Sequence, residues 1–219
     1  MLATLALAAG AGHAGAACDD RVAPGVDWAG CTKVNLVLKG QALERARFDR
    51  AVLVGLDFGS ARLSGASFEA SEIVHASFKN ARLDATRFNK AFAVRVDFSG
   101  AQFSGATFEK AELQRSNLAR AMLKGVNLSR GDFGRSVFDR ADLTDAALQF
   151  SNLARASFVG AKLAGADLTQ AFTFGSAFSG TDLSRVKGLT QAQINVACGD
   201  AKTKLPSGLK APASWPCKE

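Results

Sequence analysis

The feature that most constrains this chain is a five-residue period that runs from Gln41 to Arg185. Of the 29 centre positions in this repeat, 27 are Leu, Phe or Ile, and the two exceptions are Ala93 and Thr173. Two residues before the centre, a small Ala, Ser, Thr or Gly stands in 25 of the 29 units. Polar side chains are concentrated in the positions between, which indicates an inner and an outer side.

A period of five matches neither the 3.6-residue turn of an α-helix nor the two-residue alternation of a β-strand. A helix would distribute the centres around all its sides, and a strand would expose half of them. A chain that turns a corner every five residues can instead direct every centre inward. The small residue then fits where the backbone approaches the axis, so the period predicts a solenoid of stacked coils.

Two units, Ala141-Asp142-Leu143 and Ala166-Asp167-Leu168, show the repeat in its full form. The pattern resembles the A-(D/N)-L-x-x motif of the pentapeptide-repeat family over about two thirds of the chain. The resemblance implies an all-β fold, a right-handed quadrilateral β-helix with four units per coil, and therefore about seven coils over residues 41–185. The segments around Trp28 and Thr190 are similar to the ends of exported bacterial members of the family.

The first sixteen residues contain no Asp, Glu, Lys or Arg, and an apolar run leads to the small residues Ala14-Gly15-Ala16. This pattern predicts a signal peptide over residues 1–16 with cleavage after Ala16, although the usual positive start is missing. A lipoprotein anchored at Cys18 is the alternative. We therefore expect a periplasmic or secreted protein. No stretch is long and apolar enough to predict a transmembrane segment.

The four cysteines form two local couples, Cys18 with Cys31 and Cys198 with Cys217, one on each side of the repeat. An even number of cysteines in an exported chain predicts disulfides. Local pairing is favoured among the three connectivities because a rigid repeat would hold its two ends apart. A metal site is not expected, since the chain has no C-x-x-C motif and only His75 remains after cleavage.

Both ends of a solenoid expose apolar core and unpaired backbone, so we expect a cap at each end. Residues 17–40 are predicted to form a disulfide-tied N-terminal cap in which Trp28 covers the core. Residues 186–219 are predicted to form a short C-terminal capping helix and a disulfide-tied tail. Thr190 is the expected N-cap of this helix, and Gly199 its expected stop.

A four-sided coil aligns residues that lie twenty apart, and this places basic residues in columns. The net charge of +7 favours anionic partners. The candidate anion-binding stripe combines two neighbouring columns, Arg95, Arg115, Arg135 and Arg155 with Lys90, Lys110 and Arg130. The alternative is a solvated face on which Glu72, Glu112 and Asp132 of an adjacent column neutralise the stripe.

The two exceptional centres, Ala93 and Thr173, are flanked by the aromatic residues Phe92, Phe172 and Phe174. Local repacking that tucks a phenylalanine inside is the favoured interpretation. If the rings are exposed instead, they form a candidate patch for a protein partner or a homodimer.

No catalytic constellation and no cofactor motif stands out, so the sequence predicts a protein that is not an enzyme. We expect a non-catalytic binding or scaffold module of the cell envelope, with an unidentified protein or an anionic envelope component as partner. The alternative that the family resemblance implies is a DNA-mimicking topoisomerase protector. The basic charge and the predicted export disfavour that role, and a nucleic-acid partner is not expected.

Overall fold

The computed structural model describes residues 18–216. The predicted signal peptide and Cys217 lie outside the described residues, so the predicted pairing of Cys198 with Cys217 stays a prediction. Within them the chain forms a right-handed quadrilateral β-helix in which the residue before a centre generally pairs in parallel with the residue twenty positions later. One row of eight parallel β-bridges runs from Asp27 to Lys187. The β-helix therefore begins before the repeat that starts at Gln41.

Four rows of parallel β-bridges define the four faces of the helix. We number the faces by their inward centres in the second coil, with face 1 at Phe48, face 2 at Leu53, face 3 at Phe58 and face 4 at Leu63. Most rungs are single bridges. Face 2 begins with true strands that pair in sequence order, namely β1 (Thr32–Val34), β2 (Val52–Val54), β3 (Glu72–Val74) and β4 (Phe92–Val94).

Each coil turns its corners through a left-handed residue two positions after each centre. At Arg140, for example, φ is +58°, and at Gly125 it is +67°. The following amide usually donates to the carbonyl of the centre, as Ala141 does to Phe138. In many units an Asp or Asn before the centre also accepts from the amide two residues on, as Asp142 does from Thr144. This bond explains the acidic or amide position of the repeat.

The core contains all the centres from Leu43 to Leu183, and phenylalanines on faces 1 and 3 stack along the axis. Phe88 and Phe108 are parallel, with ring centres 4.7 Å apart. Ala93 on face 2 is buried without a break in register, and the opposite centre of the same coil is Phe103, the bulkiest centre of face 4. We infer that Phe103 fills the volume that Ala93 leaves.

The N-terminal end is closed by the segment that precedes the first coil. Trp28 is buried, packs edge-on against Phe48 at 5.9 Å, and donates from its indole N–H to the carbonyl of Asp20. Cys18 and Cys31 form a disulfide with their Cα atoms 5.6 Å apart. The ammonium group of Lys33 lies 4.3 Å from the Trp28 ring centre, so a cation–π contact completes this end.

The C-terminal end is closed by α1 (Gln191–Asn195), whose N-cap Thr190 forms a capping box with Gln193 as its N3 residue. The predicted stop at Gly199 is wrong, because the helix ends at Asn195 with Val196 as its C-cap. Gly199 has another role. A Cβ atom there would lie 2.3 Å from the ring of Trp215, so glycine makes room for that side chain.

Candidate functional site

The four arginines of the first predicted column stand at successive corners between face 2 and face 3. All four are exposed and left-handed, with φ between +56° and +60°. Because coils stack at about 4.8 Å, the four Cα atoms form a straight column that spans three coil steps. We call Arg95, Arg115, Arg135 and Arg155 the arginine ladder.

The neutralisation of this column by nearby carboxylates is not found. Within residues 18–216, no ion pair involves any arginine of the ladder. The side chain of Asp132 is held instead by the amides of Gln114 at 2.8 Å and Asn152 at 3.1 Å, and by the backbone N–H of Gly134. The ladder therefore presents aligned positive charges to solvent.

The second predicted column occupies the corner on the other side of face 2. Lys90, Lys110 and Arg130 are exposed and left-handed there, so the two columns border face 2 rather than forming one stripe. The guanidinium of Arg130 lies 5.8 Å from the ring centre of Phe150 in the next coil. Face 2 is thus a strip of surface with basic edges.

A shallow groove of about 460 Å³ lies along the ladder in the later coils. Its polar floor contains Gln114, Asp132 and Asn152, and Phe174 closes its C-terminal end. Arg115, Arg135 and Arg155 form its edge. The arginines and Phe174 were predicted from the sequence. The amides were not predicted, although an Asn or Gln beside a face 2 centre could have indicated them.

The expectation that a phenylalanine is tucked into the core at the exceptional centres is wrong. Phe92, Phe172 and Phe174 are 40%, 57% and 48% exposed, whereas Ala93 and Thr173 keep the inward positions. Thr173 is tolerated in the core because its hydroxyl donates to the carbonyl of Gln193 in α1 at 2.8 Å.

The three phenylalanines do not form one patch. Phe172 and Phe174 flank the same centre and are nearly parallel, with ring centres 6.3 Å apart. Phe92 lies on the same face four coils earlier, beside the valine column of Val34, Val54, Val74 and Val94. The candidate partner patch therefore divides into two separate apolar areas at opposite ends of face 2.

His75 heads the ladder column, where it is exposed and left-handed like the arginines. Within residues 18–216, no group of three His, Cys, Asp or Glu side chains is arranged to hold a metal ion. The described part of the chain also contains no helix that is long and apolar enough to cross a membrane.

These features define a class of protein, a parallel β-helical scaffold with a five-residue repeat and charged corners. Family models described as "Pentapeptide repeat region" and "Pentapeptide repeats (8 copies)" match residues 41–118, and residues 101–140 with 141–172, respectively. The chain belongs to the pentapeptide-repeat family. No curated protein matches it.

Solved structures show the same fold. A trypsin-treated variant of QnrB1, a plasmid-mediated fluoroquinolone resistance protein, is 18% identical, with a TM-score of 0.50 over 83% of this chain and 90% of that chain. HetL, involved in heterocyst differentiation regulation in the cyanobacterium Nostoc sp. strain PCC 7120, is 21% identical, with a TM-score of 0.43 over 84% and 91%. At these identities the likeness concerns the fold alone.

Proposed function

We propose that this protein is a non-catalytic binding module of the cell envelope that holds an anionic partner along the arginine ladder. The observation that carries the proposal is the column of four exposed arginines without an ion pair among residues 18–216. Arginine suits this task because its guanidinium stays charged and binds carboxylate or phosphate through two parallel hydrogen bonds.

The backbone supports this interpretation. A left-handed conformation is unfavourable for a side chain with a Cβ atom, and glycine adopts it freely. Other corners of the same coils use glycine, as Gly105 and Gly125 do on face 4. Arginine at four successive corners is therefore not required by the fold, and we attribute it to binding.

The location in the envelope rests on two observations. Residues 1–16 have the pattern of a signal peptide, and Cys18 forms a disulfide with Cys31. Disulfides persist in oxidising compartments such as the periplasm and the extracellular space. The basic net charge of +7 stands against the DNA-mimicking role considered as the alternative, since a mimic of DNA requires an acidic surface.

The test is elution from a heparin column over a salt gradient, with the chain from Ala17 to Glu219. The ladder variant replaces Arg95, Arg115, Arg135 and Arg155 with Gln. The control variant replaces Arg45, Arg82, Arg120 and Arg140 with Gln, since these exposed arginines lie outside both basic columns. We expect the ladder variant to elute at clearly lower salt than the control. Equal elution of two variants with equal melting temperatures would refute the proposal.

A further inference from the structure

We infer that the anionic partner is an acidic polysaccharide, and that a sugar ring of this chain packs on Phe174 at the end of the groove. The inference rests on the proposed function and adds the class of ligand. Three kinds of group meet in this groove: guanidinium groups along the edge, amides and a carboxylate in the floor, and one exposed aromatic ring. A ligand that satisfies all three must carry negative charge, hydroxyl groups and an apolar face.

The floor of the groove offers hydrogen-bonding partners for hydroxyl groups. Asp132 presents a carboxylate between the basic edges, where it accepts hydrogen bonds. Gln114 donates one N–H to Asp132, which leaves its carbonyl oxygen and its second N–H for a ligand. Sugar hydroxyls can both donate to Asp132 and pair with Gln114.

The aromatic end of the groove supplies an apolar platform. Phe174 projects from face 2 with about half of its surface exposed, one coil after Arg155, whose backbone N–H donates to the Phe174 carbonyl. The stem of Arg155 leans toward this coil, since its Cγ atom lies 3.3 Å from the position of a Cβ atom at Gly175. A guanidinium and a ring side by side suit a uronic acid, whose carboxylate and C–H face are parts of one pyranose.

The spacing of the ladder also fits an extended sugar chain. The arginines repeat at about 4.8 Å along a straight line, which is close to the length of one pyranose unit in an extended chain. The carboxylates that face the ladder can therefore each reach an arginine. The phosphates of duplex DNA wind around an axis, with about one per 3.4 Å of axis on each strand, so a straight column follows only a short arc of them.

The experiment is titration calorimetry at low salt with hexagalacturonate as the probe, beside uncharged maltohexaose and hexathymidylate. Phe174→Ser removes the proposed platform, and Phe92→Ser is its matched control, an exposed phenylalanine on the same face four coils away. We expect hexagalacturonate to bind more tightly than the other two probes. Phe174→Ser should weaken it about two- to tenfold, which is the usual range for loss of one aromatic contact, and Phe92→Ser should leave it unchanged.

The outcomes separate this inference from the proposed function. One outcome is that the ladder variant no longer binds hexagalacturonate, while Phe174→Ser and Phe92→Ser bind it with equal affinity. The anion-binding ladder then stands, and the role of Phe174 as a sugar platform is refuted. Tighter binding of hexathymidylate would overturn the inference in favour of a nucleic acid. If the ladder variant binds hexagalacturonate as the unaltered protein does, both the inference and the proposed function fail.

Discussion

Face 2 and face 4 lie on opposite sides of the same coils, and they differ in whether their charged side chains form ion pairs. On face 4 the charges pair between coils, as Arg62 with Glu44 at 2.7 Å and Lys204 with Asp182 at 3.2 Å. Four of the corners after face 4 are glycine, at Gly65, Gly105, Gly125 and Gly165. On face 2 the corners carry the arginine ladder and no such pairs are found within residues 18–216. At the ladder, from Arg95 to Arg155, both faces have left-handed corner residues, so we attribute the difference in charge pairing to what the surface must do.

The two faces also differ inside the helix. Every corner after a face 4 centre, from Leu43 to Leu183, has the hydrogen bond from the following amide. Within residues 18–216, this bond is missing at the first four corners after face 2, where valine follows the centre in β1 to β4. β-Branched residues favour extended backbone, which explains the strands. The start of face 2 is therefore a flat sheet, and the remainder is a series of turns.

The largest expected effect comes from exchanging the core side chains of the two faces in one coil. Ala93→Leu should overpack face 2 and destabilise by about 1–3 kcal/mol. Phe103→Leu should leave a cavity on face 4 and destabilise by about 1–2 kcal/mol. If the two centres share one volume, the double variant should be more stable than the sum of the singles predicts, by about 1 kcal/mol or more. Denaturant unfolding of all four proteins measures this coupling, and strict additivity would contradict it.

Ser116 tests the boundary between the two kinds of corner. Its hydroxyl donates to the carbonyl of Ala93 at 2.8 Å and accepts from the amide of Val96 at 3.1 Å, the two groups that would otherwise bond to each other in a turn. Ser116→Ala leaves a buried amide unpaired and should destabilise by about 1–3 kcal/mol in urea unfolding.

Ser136→Ala is the matched control one coil later. There the amide of Ser116 keeps the carbonyl of Leu113 as a partner, so the loss should be smaller, at about 1 kcal/mol. Equal losses in the two variants would show that Ser116 does not replace a turn bond.

Substitutions at the corners test whether the left-handed arginines of the ladder lower the stability of the fold. Gly105 has φ of +69° and nothing within 4 Å of an added Cβ atom, so Gly105→Ala should destabilise by about 1 kcal/mol through backbone strain alone. Arg115→Gly on face 2 should stabilise, by up to about 1 kcal/mol. Ser104→Gly, at a neighbour without positive φ, should destabilise and serves as the control in thermal melts. A destabilised Arg115→Gly would mean that the arginine supports the fold.

The smallest effect concerns pH. Hydrogen bonds from the Ser184 side chain and backbone, followed by Lys204, hold the pKa of Asp182 below its ordinary value, and Thr144 acts in the same way on Asp142. A carboxyl with a lowered folded pKa contributes stability above its unfolded pKa and loses it as pH falls further. The melting temperature should therefore decline below about pH 4.

The double variant Asp142→Asn/Asp182→Asn tests the assignment of this acid sensitivity to face 4. Its melting temperature should change less between pH 5 and pH 3 than that of the unaltered protein, by a small margin because both side chains are partly exposed. If the melting temperature of the double variant falls as much as that of the unaltered protein, the acid sensitivity belongs to groups other than Asp142 and Asp182.

The five-residue period predicted coils that bury every centre, and the resemblance to the pentapeptide-repeat family implied the β-helix with four units per coil. It also placed the ladder, since residues twenty apart must align. The sequence could not predict that Phe92 stays outside, because whether a small centre such as Ala93 keeps the inward position depends on how the core packs around it. Gly199 was expected to stop α1, but the helix ends earlier, at Asn195 with Val196 as its C-cap, and Gly199 makes room for Trp215 instead. The hydrogen bonds from Gln114 and Asn152 to Asp132 could not be predicted either, because they join side chains of different coils.

The most direct test of the ladder moves arginines from one face to the other without changing the net charge. Arg115→Gln/Arg135→Gln/Gly105→Arg/Gly125→Arg transfers two charges from face 2 to open corners of face 4, where an added Cβ atom meets nothing within 4 Å. We expect this protein to elute from heparin at lower salt than the unaltered protein, and close to Arg115→Gln/Arg135→Gln alone. Elution at the salt concentration of the unaltered protein would show that only the total charge matters, and would contradict the assignment of binding to the ladder.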